Sequence, residues 1–230
     1  MIIKEIKKNE AENFFKQYEH LGNCGLGVWH YGLYDDDALL SVVSFGPTNF
    51  NPNRCFLGKI SEKYSVKIIQ LTRGGTKFDA DTNIPSFIIK RAMNEIKCKF
   101  GDCIIVAYSD TKWNEVGTIY QASNFLYCGL TEPKGQSNYM INGKKYSGWT
   151  VRKIFGTRDM KKLLETNKTV ERIPLTKKHM YLYVKAPKMK KRLIMKALKQ
   201  KYDFENLKYP NRIDLEVGSM NEIHMKMINN

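Results

Sequence analysis

Six consecutive apolar or aromatic residues, Cys-Ile-Ile-Val-Ala-Tyr at positions 103–108, constrain most strongly how this chain can fold. A run without polar alternation is typical of a strand buried inside a sheet. In the segment before it, Pro85 is well placed in the first turn of a helix that would run to about residue 99. Ser109 and Asp110 follow the run, so we expect them at the carboxyl end of the strand.

The rest of the chain predicts a mixed sheet flanked by helices. Further strands are predicted at residues 2–6, 28–34, 38–45, 66–71 and 125–130, and further helices at residues 9–20, with Asn9 as the cap, and 116–123. The acidic turn at residues 35–37 makes the second and third strands a hairpin, and residues 47–52, rich in Asn and Pro, form a loop. This order predicts an α+β fold around one mixed α/β sheet.

The composition shifts after Thr131, and we predict a division of the chain there. Residues 1–132 would form a catalytic core, and residues 133–230 a basic C-terminal part that packs on it. Lysine pairs and one Lys-Lys-Arg run occur in this second part, with Tyr181, Tyr183, Tyr202 and Tyr209 among them. This combination suits phosphate contact with aromatic stacking, so we expect this part to contact nucleic acid. The last residues, from about Glu216, are expected to be loose.

The charge of the chain points to a polyanionic partner. Lys and Arg number 38 against 23 Asp and Glu, which gives a formal net charge of +15. Lys and Arg contacts to phosphate release condensed counterions, so such an excess favours nucleic acid binding. The alternative is a Lys-rich protein whose charge runs are solvated helix faces.

The cysteines and the apolar segments predict a cytoplasmic protein. The five cysteines are scattered and odd in number, which does not indicate a disulfide framework. The N-terminus becomes charged at once, and no apolar run approaches the ~20 residues that a membrane span needs. Cys98 and Cys103 support a zinc site only weakly, because no second pair accompanies them. The sequence leaves open any other metal, iron included, and the oligomeric state.

Asp110 and the nearby Tyr120 are the strongest candidates for chemistry. In an open α/β sheet the ligand crevice lies at the carboxyl ends of the strands, where Asp110 is expected. A buried Tyr beside a carboxylate can serve as an acid or an orienting donor. The alternative is that Asp110 caps a helix and Tyr120 packs in the core.

Residues 117–125 read Gly-Thr-Ile-Tyr-Gln-Ala-Ser-Asn-Phe, followed by Tyr127 and Gly129. This segment resembles the fourth-helix region of the GNAT acyltransferase superfamily. The chain is closer still to the Mom-like proteins of bacteriophages, in which a strand ends in Arg, another ends in Ser-Tyr-Ala-Asp or similar, and Ile-Tyr-Gln-Ala-x-Asn follows. The matching segments here are residues 71–73, 107–110 and 119–124, and the resemblance covers about residues 10–210.

The resemblance implies a GNAT-like fold and a DNA-modifying transferase that protects DNA from restriction. It implies addition of a methylcarbamoyl-type group to adenine N6 in double-stranded DNA, with acetyl-CoA or another acyl donor. Tyr120 matches a Tyr that commonly acts as general acid toward the departing CoA thiolate. Five further residues would bind substrate or donor: Tyr108, Ser109, Ser123, Asn124 and Tyr31. The chain departs from GNAT proteins in lacking the pyrophosphate loop, since Arg73-Gly74-Gly75 lies far before Pro85.

Basic side chains and aromatic rings complete the predicted site. Arg73 is the best candidate for holding a phosphate or carboxylate, with a salt bridge to Asp79 or Asp81 as the alternative. His20 approximates a family His near the end of the first helix, and His30 is a second candidate, although a lone His is usually structural. An adenine in a duplex must be flipped out to react, and Trp113, Tyr127 or Trp149 would stack it.

Three hypotheses follow from the sequence. The first is a DNA-modifying transferase. In it, Arg73 binds the donor or a phosphate, Asp110 accepts a proton from the adenine amine and Tyr120 assists the leaving group. The second is a GNAT-type N-acetyltransferase acting on a small amine or a protein. The third is a nucleic-acid-binding protein without enzymatic activity.

Overall fold

The apolar run forms one strand of a large sheet in a computed structural model that describes residues 1–48, 50, 53, 55–132 and 137–211. The strands are β1 (Ile2–Ile6), β2 (Trp29–Asp35), β3 (Ala38–Pro47), β4 (Lys67–Thr76), β5 (Cys103–Asp110), β6 (Leu126–Leu130), β7 (Asn138–Ile141), β8 (Lys144–Tyr146), β9 (Val170–Ile173) and β10 (Lys178–Lys185). The helices are α1 (Lys8–Tyr18), α2 (Phe56–Lys63), α3 (Ile84–Phe100), α4 (Thr118–Ala122), α5 (Gly148–Phe155), α6 (Met160–Thr166) and α7 (Lys188–Leu198), and a short 3-10 helix, Thr111–Trp113, follows β5.

Within the described residues the main sheet has seven strands in the order β1-β2-β3-β4-β5-β10-β6. Strands β4 and β5 pair in parallel, and the other neighbours pair antiparallel. Alternate residues of β5 face opposite sides, so Ile105 packs in the core under α3 and Ile104 in the core near α2 and α7. This confirms the predicted mixed sheet flanked by helices.

Strands β4 and β5 separate towards their carboxyl ends. Their parallel pairing runs from Lys67–Cys103 to Gln70–Val106 and stops there. Beyond it, β4 continues to Thr76 beside β3, while β5 continues to Asp110 beside β10. A gap therefore opens in the sheet at the strand ends that the sequence singled out.

A small unit lies between β6 and β10 in the chain. Its three-stranded sheet has the order β8-β7-β9, and α5 and α6 cover it. It has an apolar core of its own, formed by Tyr139, Ile141, Val151 and Leu163. The chain then returns to the main sheet as β10, so that sheet includes residues beyond 132. The division of the chain into two domains at that position stays a prediction.

Several predicted boundaries need correction. Arg73-Gly74-Gly75 lies inside β4 and does not follow it, because pairing with residues 42–44 of β3 keeps this segment extended. Helix α1 begins at Lys8 and ends at Tyr18, so Asn9 is not its cap and His20 lies in the turn beyond it. Helix α2 was not predicted.

Parts of two predicted segments cannot be compared with the fold. In the predicted loop at residues 47–52, Pro47 belongs to β3, whereas Asn49, Asn51 and Pro52 lie outside the described residues. The predicted loose end from Glu216 also lies outside them. No helix in the described part of the chain has both the length and the apolar character that crossing a bilayer demands.

Candidate active site

A cavity of about 340 Å³ occupies the gap between β4 and β5. The residues that line it on β4 are Leu71, Thr72, Arg73 and Gly74, and those on β5 are Tyr108, Ser109 and Asp110. The turn after α1, the 3-10 helix and α4 close its sides. The geometry thus brings five predicted site residues together with His20: Arg73, Tyr108, Ser109, Asp110 and Tyr120.

Arg73 presents an unmatched cation to this cavity. Its Nη1 donates to the carbonyl of Thr72 at 2.8 Å, and its buried Nε has no hydrogen-bond partner. A methyl group added to Gly25 would lie 3.4 Å from the guanidinium carbon, so this glycine lets the loop after α1 pack closely against Arg73. Among the described residues no carboxylate pairs with Arg73, and the alternative bridge to Asp79 or Asp81 is not formed.

Tyr120 provides a neutral hydroxyl deep in the cavity. Its hydroxyl lies 3.5 Å from the Tyr108 carbonyl, a long hydrogen bond. Burial raises the pKa of Tyr120, Glu115 raises it further, and the nearby Arg73 opposes them. The phenol therefore stays protonated at neutral pH. Ser109 adds a second hydroxyl, whose buried oxygen has no partner within the described structure.

Asp110 is held at the mouth of the cavity by three donors. Its Oδ1 accepts from the Thr176 hydroxyl at 2.7 Å and from the Lys112 amide at 3.0 Å, and the Lys178 ammonium lies 3.5 Å from Oδ2. Burial opposes ionisation of Asp110, but these donors outweigh burial and lower its pKa. Asp110 also caps the 3-10 helix, so it is an ionised group in a fixed position.

Two further carboxylates and an indole ring line the cavity. Glu19 accepts from the amides of Leu21 and Gly22 at 2.9 and 3.0 Å, and lies 3.4 Å from the His20 ring. His20 in turn packs on Trp113, with ring centroids 5.1 Å apart. Glu115 accepts from the Asp110 amide at 3.3 Å. The cavity therefore contains both signs of charge beside an aromatic wall.

Three predicted binding residues do not line this cavity. Tyr31 is 3% exposed in the core under α3, where burial raises its pKa to about 12. Ser123 is fully buried behind α4, and Asn124 forms the exposed turn into β6 with a φ of 61°. His30 also lies elsewhere, with its Nδ1 2.7 Å from the Ser44 hydroxyl.

Sequence reasoning missed the side chains that surround Asp110. Trp113 was named for stacking alone, although it and Glu115 directly follow the strand end and could have been found from that position. Thr176 and Lys178 gave no such signal, because β10 brings them to Asp110 from a distant part of the sequence. Of the other two predicted stacking rings, Tyr127 bonds to His179 at 2.8 Å and Trp149 is 66% exposed on the small unit.

The start of α3 does not fit the pyrophosphate of a CoA donor. The Asp81 carboxylate accepts from the Asn83 amide at 3.1 Å, directly before this helix. A negative charge therefore already stands where backbone amides would bind an anion. The described residues also contain no cluster of three or more His, Cys, Asp or Glu that could hold a metal ion.

A larger cleft of about 1190 Å³ adjoins the small cavity. Leu21, Tyr108, Asp110, Trp113 and Lys178 line both. One wall of the larger cleft comes from α2 and the ends of β5, β6 and β10, and the other from Asn138, Lys145 and Ile173 of the small unit. The small cavity is therefore the inner end of a longer depression between the two sheets.

The fold and its cavity define the class as an α/β protein with a polar crevice where two parallel strands diverge. The chain belongs to the Mom protein family, whose family model matches residues 1–209. No curated protein sequence matches the chain.

Solved structures similar to this chain include acetyltransferases. An N-acetyltransferase from Staphylococcus aureus shares 13% identity at a TM-score of 0.45, covering 80% of this chain and 97% of its own. An IAA acetyltransferase from Bacillus cereus shares 8% identity at a TM-score of 0.45, covering 80% and 99%. An acetyltransferase from Bacillus subtilis in complex with CoA shares 11% identity at a TM-score of 0.44, covering 80% and 97%.

Proposed function

We propose that this protein is an acyltransferase-like enzyme that adds an acyl or methylcarbamoyl-type group to adenine N6 in DNA and so protects the DNA from restriction. The observation that carries the proposal is the cavity between β4 and β5, which holds an unmatched guanidinium, a neutral phenol and an ionised carboxylate. Membership of the Mom family and the net charge of +15 support DNA as the substrate.

Arg73 is the residue proposed to hold the group donor. A guanidinium binds a phosphate, a carboxylate or a polarised carbonyl through parallel N–H bonds. Because Arg73 has a buried N–H without a partner, a donor oxygen there would satisfy a group that the described protein leaves unbonded. The Asp81 carboxylate just before α3 favours a donor that is anchored at Arg73 and not at that helix.

Asp110 and Tyr120 are proposed to handle the proton. The adenine N6 lone pair attacks the acyl carbon of the donor, the bond from that carbon to the leaving group breaks, and N6 loses a proton. Asp110 accepts this proton, because it is the ionised carboxylate held at the mouth of the cavity. Tyr120 donates its hydroxyl proton to the leaving group and recovers one from solvent, while Asp110 releases its accepted proton to solvent. The net reaction therefore moves one proton from N6 to the leaving group.

Nucleoside mass spectrometry tests this proposal. Plasmid DNA from bacteria that express the protein is digested, and a deoxyadenosine of increased mass is expected. Tyr120→Phe and Asp110→Asn should each lower its yield by about 10²-fold or more. Tyr183→Phe is the control, because Tyr183 packs against the same apolar core as Tyr120 but lines neither cavity. Unmodified DNA from cells that contain abundant folded protein would contradict the proposal.

The carboxylates of the small cavity favour a second candidate, an N-acetyltransferase for a small amine. Glu19, Asp110 and Glu115 line it together and would attract an ammonium group. Incubating the protein with acetyl-CoA and a polyamine separates the two functions. An acetylated amine without any modified deoxyadenosine would establish this second function.

A further inference from the structure

The larger cleft opens directly onto the cavity where the proposed reaction takes place, and of its lining residues only Asp110 has a role in that reaction. Its volume of about 1190 Å³ is above the roughly 300–1,000 Å³ usual for small-molecule pockets. It is still far too small for a duplex. The cleft therefore offers more room than one small molecule needs and less than a duplex needs.

The lining of this cleft carries unbalanced positive charge. Lys112, Lys145, Lys178 and Lys201 line it together with the acidic residues Asp110 and Glu132. Both carboxylates are already matched, Asp110 by Lys178 at 3.5 Å and Glu132 by Lys177 at 2.7 Å. The other three lysines are exposed, and none of them has an ion pair within the described residues. The cleft is therefore complementary to an anion.

Aromatic rings hold two of these cations in the wall. The Lys112 ammonium lies 5.1 Å from the centre of the Trp113 ring. The Lys201 ammonium lies 5.3 Å from the Phe56 ring and 5.6 Å from the Tyr202 ring. All three rings line the cleft, as does Tyr108. Flat rings alternating with cations are the surface on which the bases and phosphates of a single strand bind.

We propose that the larger cleft binds the single-stranded stretch of DNA next to the adenine that enters the small cavity. The bases of this stretch contact the rings of the cleft, and its phosphates face Lys112, Lys145 and Lys201. Tyr108 and Trp113, which line both spaces, mark the point where the target base turns inward. This inference rests on the proposed function, because it identifies the part of the DNA substrate that the second space accepts.

Two triple variants that remove the same charge test the cleft. Lys112→Gln, Lys145→Gln and Lys201→Gln are combined in one, and Lys16→Gln, Lys90→Gln and Lys162→Gln in the other. The control lysines are exposed, line neither cavity and have no ion pair in the described part of the chain. Binding of a fluorescein-labelled single-stranded DNA oligonucleotide is followed by anisotropy over a range of salt concentrations. The Tyr120→Phe background and the absence of any acyl donor keep binding separate from the reaction.

The cleft variant is expected to bind roughly tenfold more weakly, and the slope of log affinity against log salt should fall by about 2, at ~0.7 for each lost phosphate contact. The control variant should keep most of its affinity and most of the salt dependence of its binding. Equal losses in the two variants, or no loss in either, would overturn the inference. The inference would also be overturned if the cleft variant lost affinity only for a duplex of the same sequence and not for the single strand. If the cleft variant loses affinity but the wild-type protein leaves DNA without modified deoxyadenosine, the proposed reaction alone is refuted. If the wild-type protein produces modified deoxyadenosine but the cleft variant binds as before, the cleft alone is refuted.

Discussion

Single residues in the small cavity leave hydrogen-bonding capacity unused. The Nε of Arg73 and the Oγ of Ser109 are buried without a partner in the described structure. Burying such groups without a bond costs about 1–3 kcal/mol each, so a fold retains them where a ligand or water completes them. Asp110 differs from both, because its carboxylate is already bonded to three protein donors.

The bonds to Asp110 predict how stability depends on acidity. Its native pKa lies below its ordinary value, so ionised Asp110 stabilises the fold above the unfolded pKa of about 3.9. This stabilisation is lost as the pH falls through the native pKa. Thr176→Val removes the bond from the Thr176 hydroxyl and raises the native pKa, so its free energy of unfolding should fall less steeply in acid than that of the wild type.

Urea unfolding at a series of pH values between about 3 and 7 measures this difference. Thr111→Val is the matched control, because the Thr111 hydroxyl donates to the Lys177 carbonyl at 2.7 Å and not to a carboxylate. Its loss of stability should be the same at every pH. If Thr176→Val behaves in that way too, Thr176 does not set the pKa of Asp110.

Among the elements, α4 depends on a close contact with β10. Gly117 is the N-cap residue directly before α4 and lies in the left-handed region, with a φ of 66°. A Cβ added to it would lie 2.5 Å from the Tyr181 ring. The Tyr181 hydroxyl also donates to the carbonyl of Val116. This contact positions the helix that carries Tyr120 against the sheet.

Gly117→Ala should therefore destabilise the fold by about 2–5 kcal/mol, combining left-handed strain with overpacking. Gly156→Ala separates the two effects, because Gly156 has a φ of 70° and open space around its Cβ position. It should cost only about 1–2 kcal/mol. Urea unfolding gives both values, and equal losses would show that the contact between Gly117 and Tyr181 does not matter.

Elements with strong local patterns could be predicted from the sequence, and elements fixed by distant pairing could not. The strand predicted from the apolar run and the helix predicted from Pro85 to about residue 99 match β5 and α3 to within two residues of their ends. The candidate site was found from two kinds of signal. The predicted strand ends gave Arg73 and Asp110, and the motif at residues 117–125 gave Tyr120. The positions of Thr176 and Lys178 beside Asp110 could not be predicted. An antiparallel register between residues 103–110 and 178–185 brings them there.

For the whole molecule, β10 ties the two halves of the chain together. It pairs with β5 on one side and β6 on the other, and its Tyr181 is fully buried in the core under α3. The small unit, by contrast, has its own core, and its connections leave and enter the main sheet at adjacent points. The Thr131 amide donates to the Lys178 carbonyl at 2.8 Å, so the two ends are already neighbours.

Two shortened chains should therefore behave in opposite ways. Residues 1–132 alone lack β10, which leaves β6 unpaired and part of the core open, so this fragment should not unfold cooperatively. A chain in which a short Gly-Ser linker replaces residues 133–175 keeps β10 and the Thr176 bond to Asp110, so it should fold. Circular dichroism and urea unfolding distinguish these outcomes, with a smaller m-value expected for the deletion because less surface is exposed on unfolding.

The same deletion separates the two spaces of the site. It removes Asn138, Lys145 and Ile173, which form one wall of the larger cleft, and leaves every residue that lines the small cavity. The shortened chain should therefore lose affinity for the single-stranded oligonucleotide while it keeps a folded main sheet. A fragment of residues 1–132 that folded stably and cooperatively would contradict this account and would instead support an independent domain that ends at residue 132.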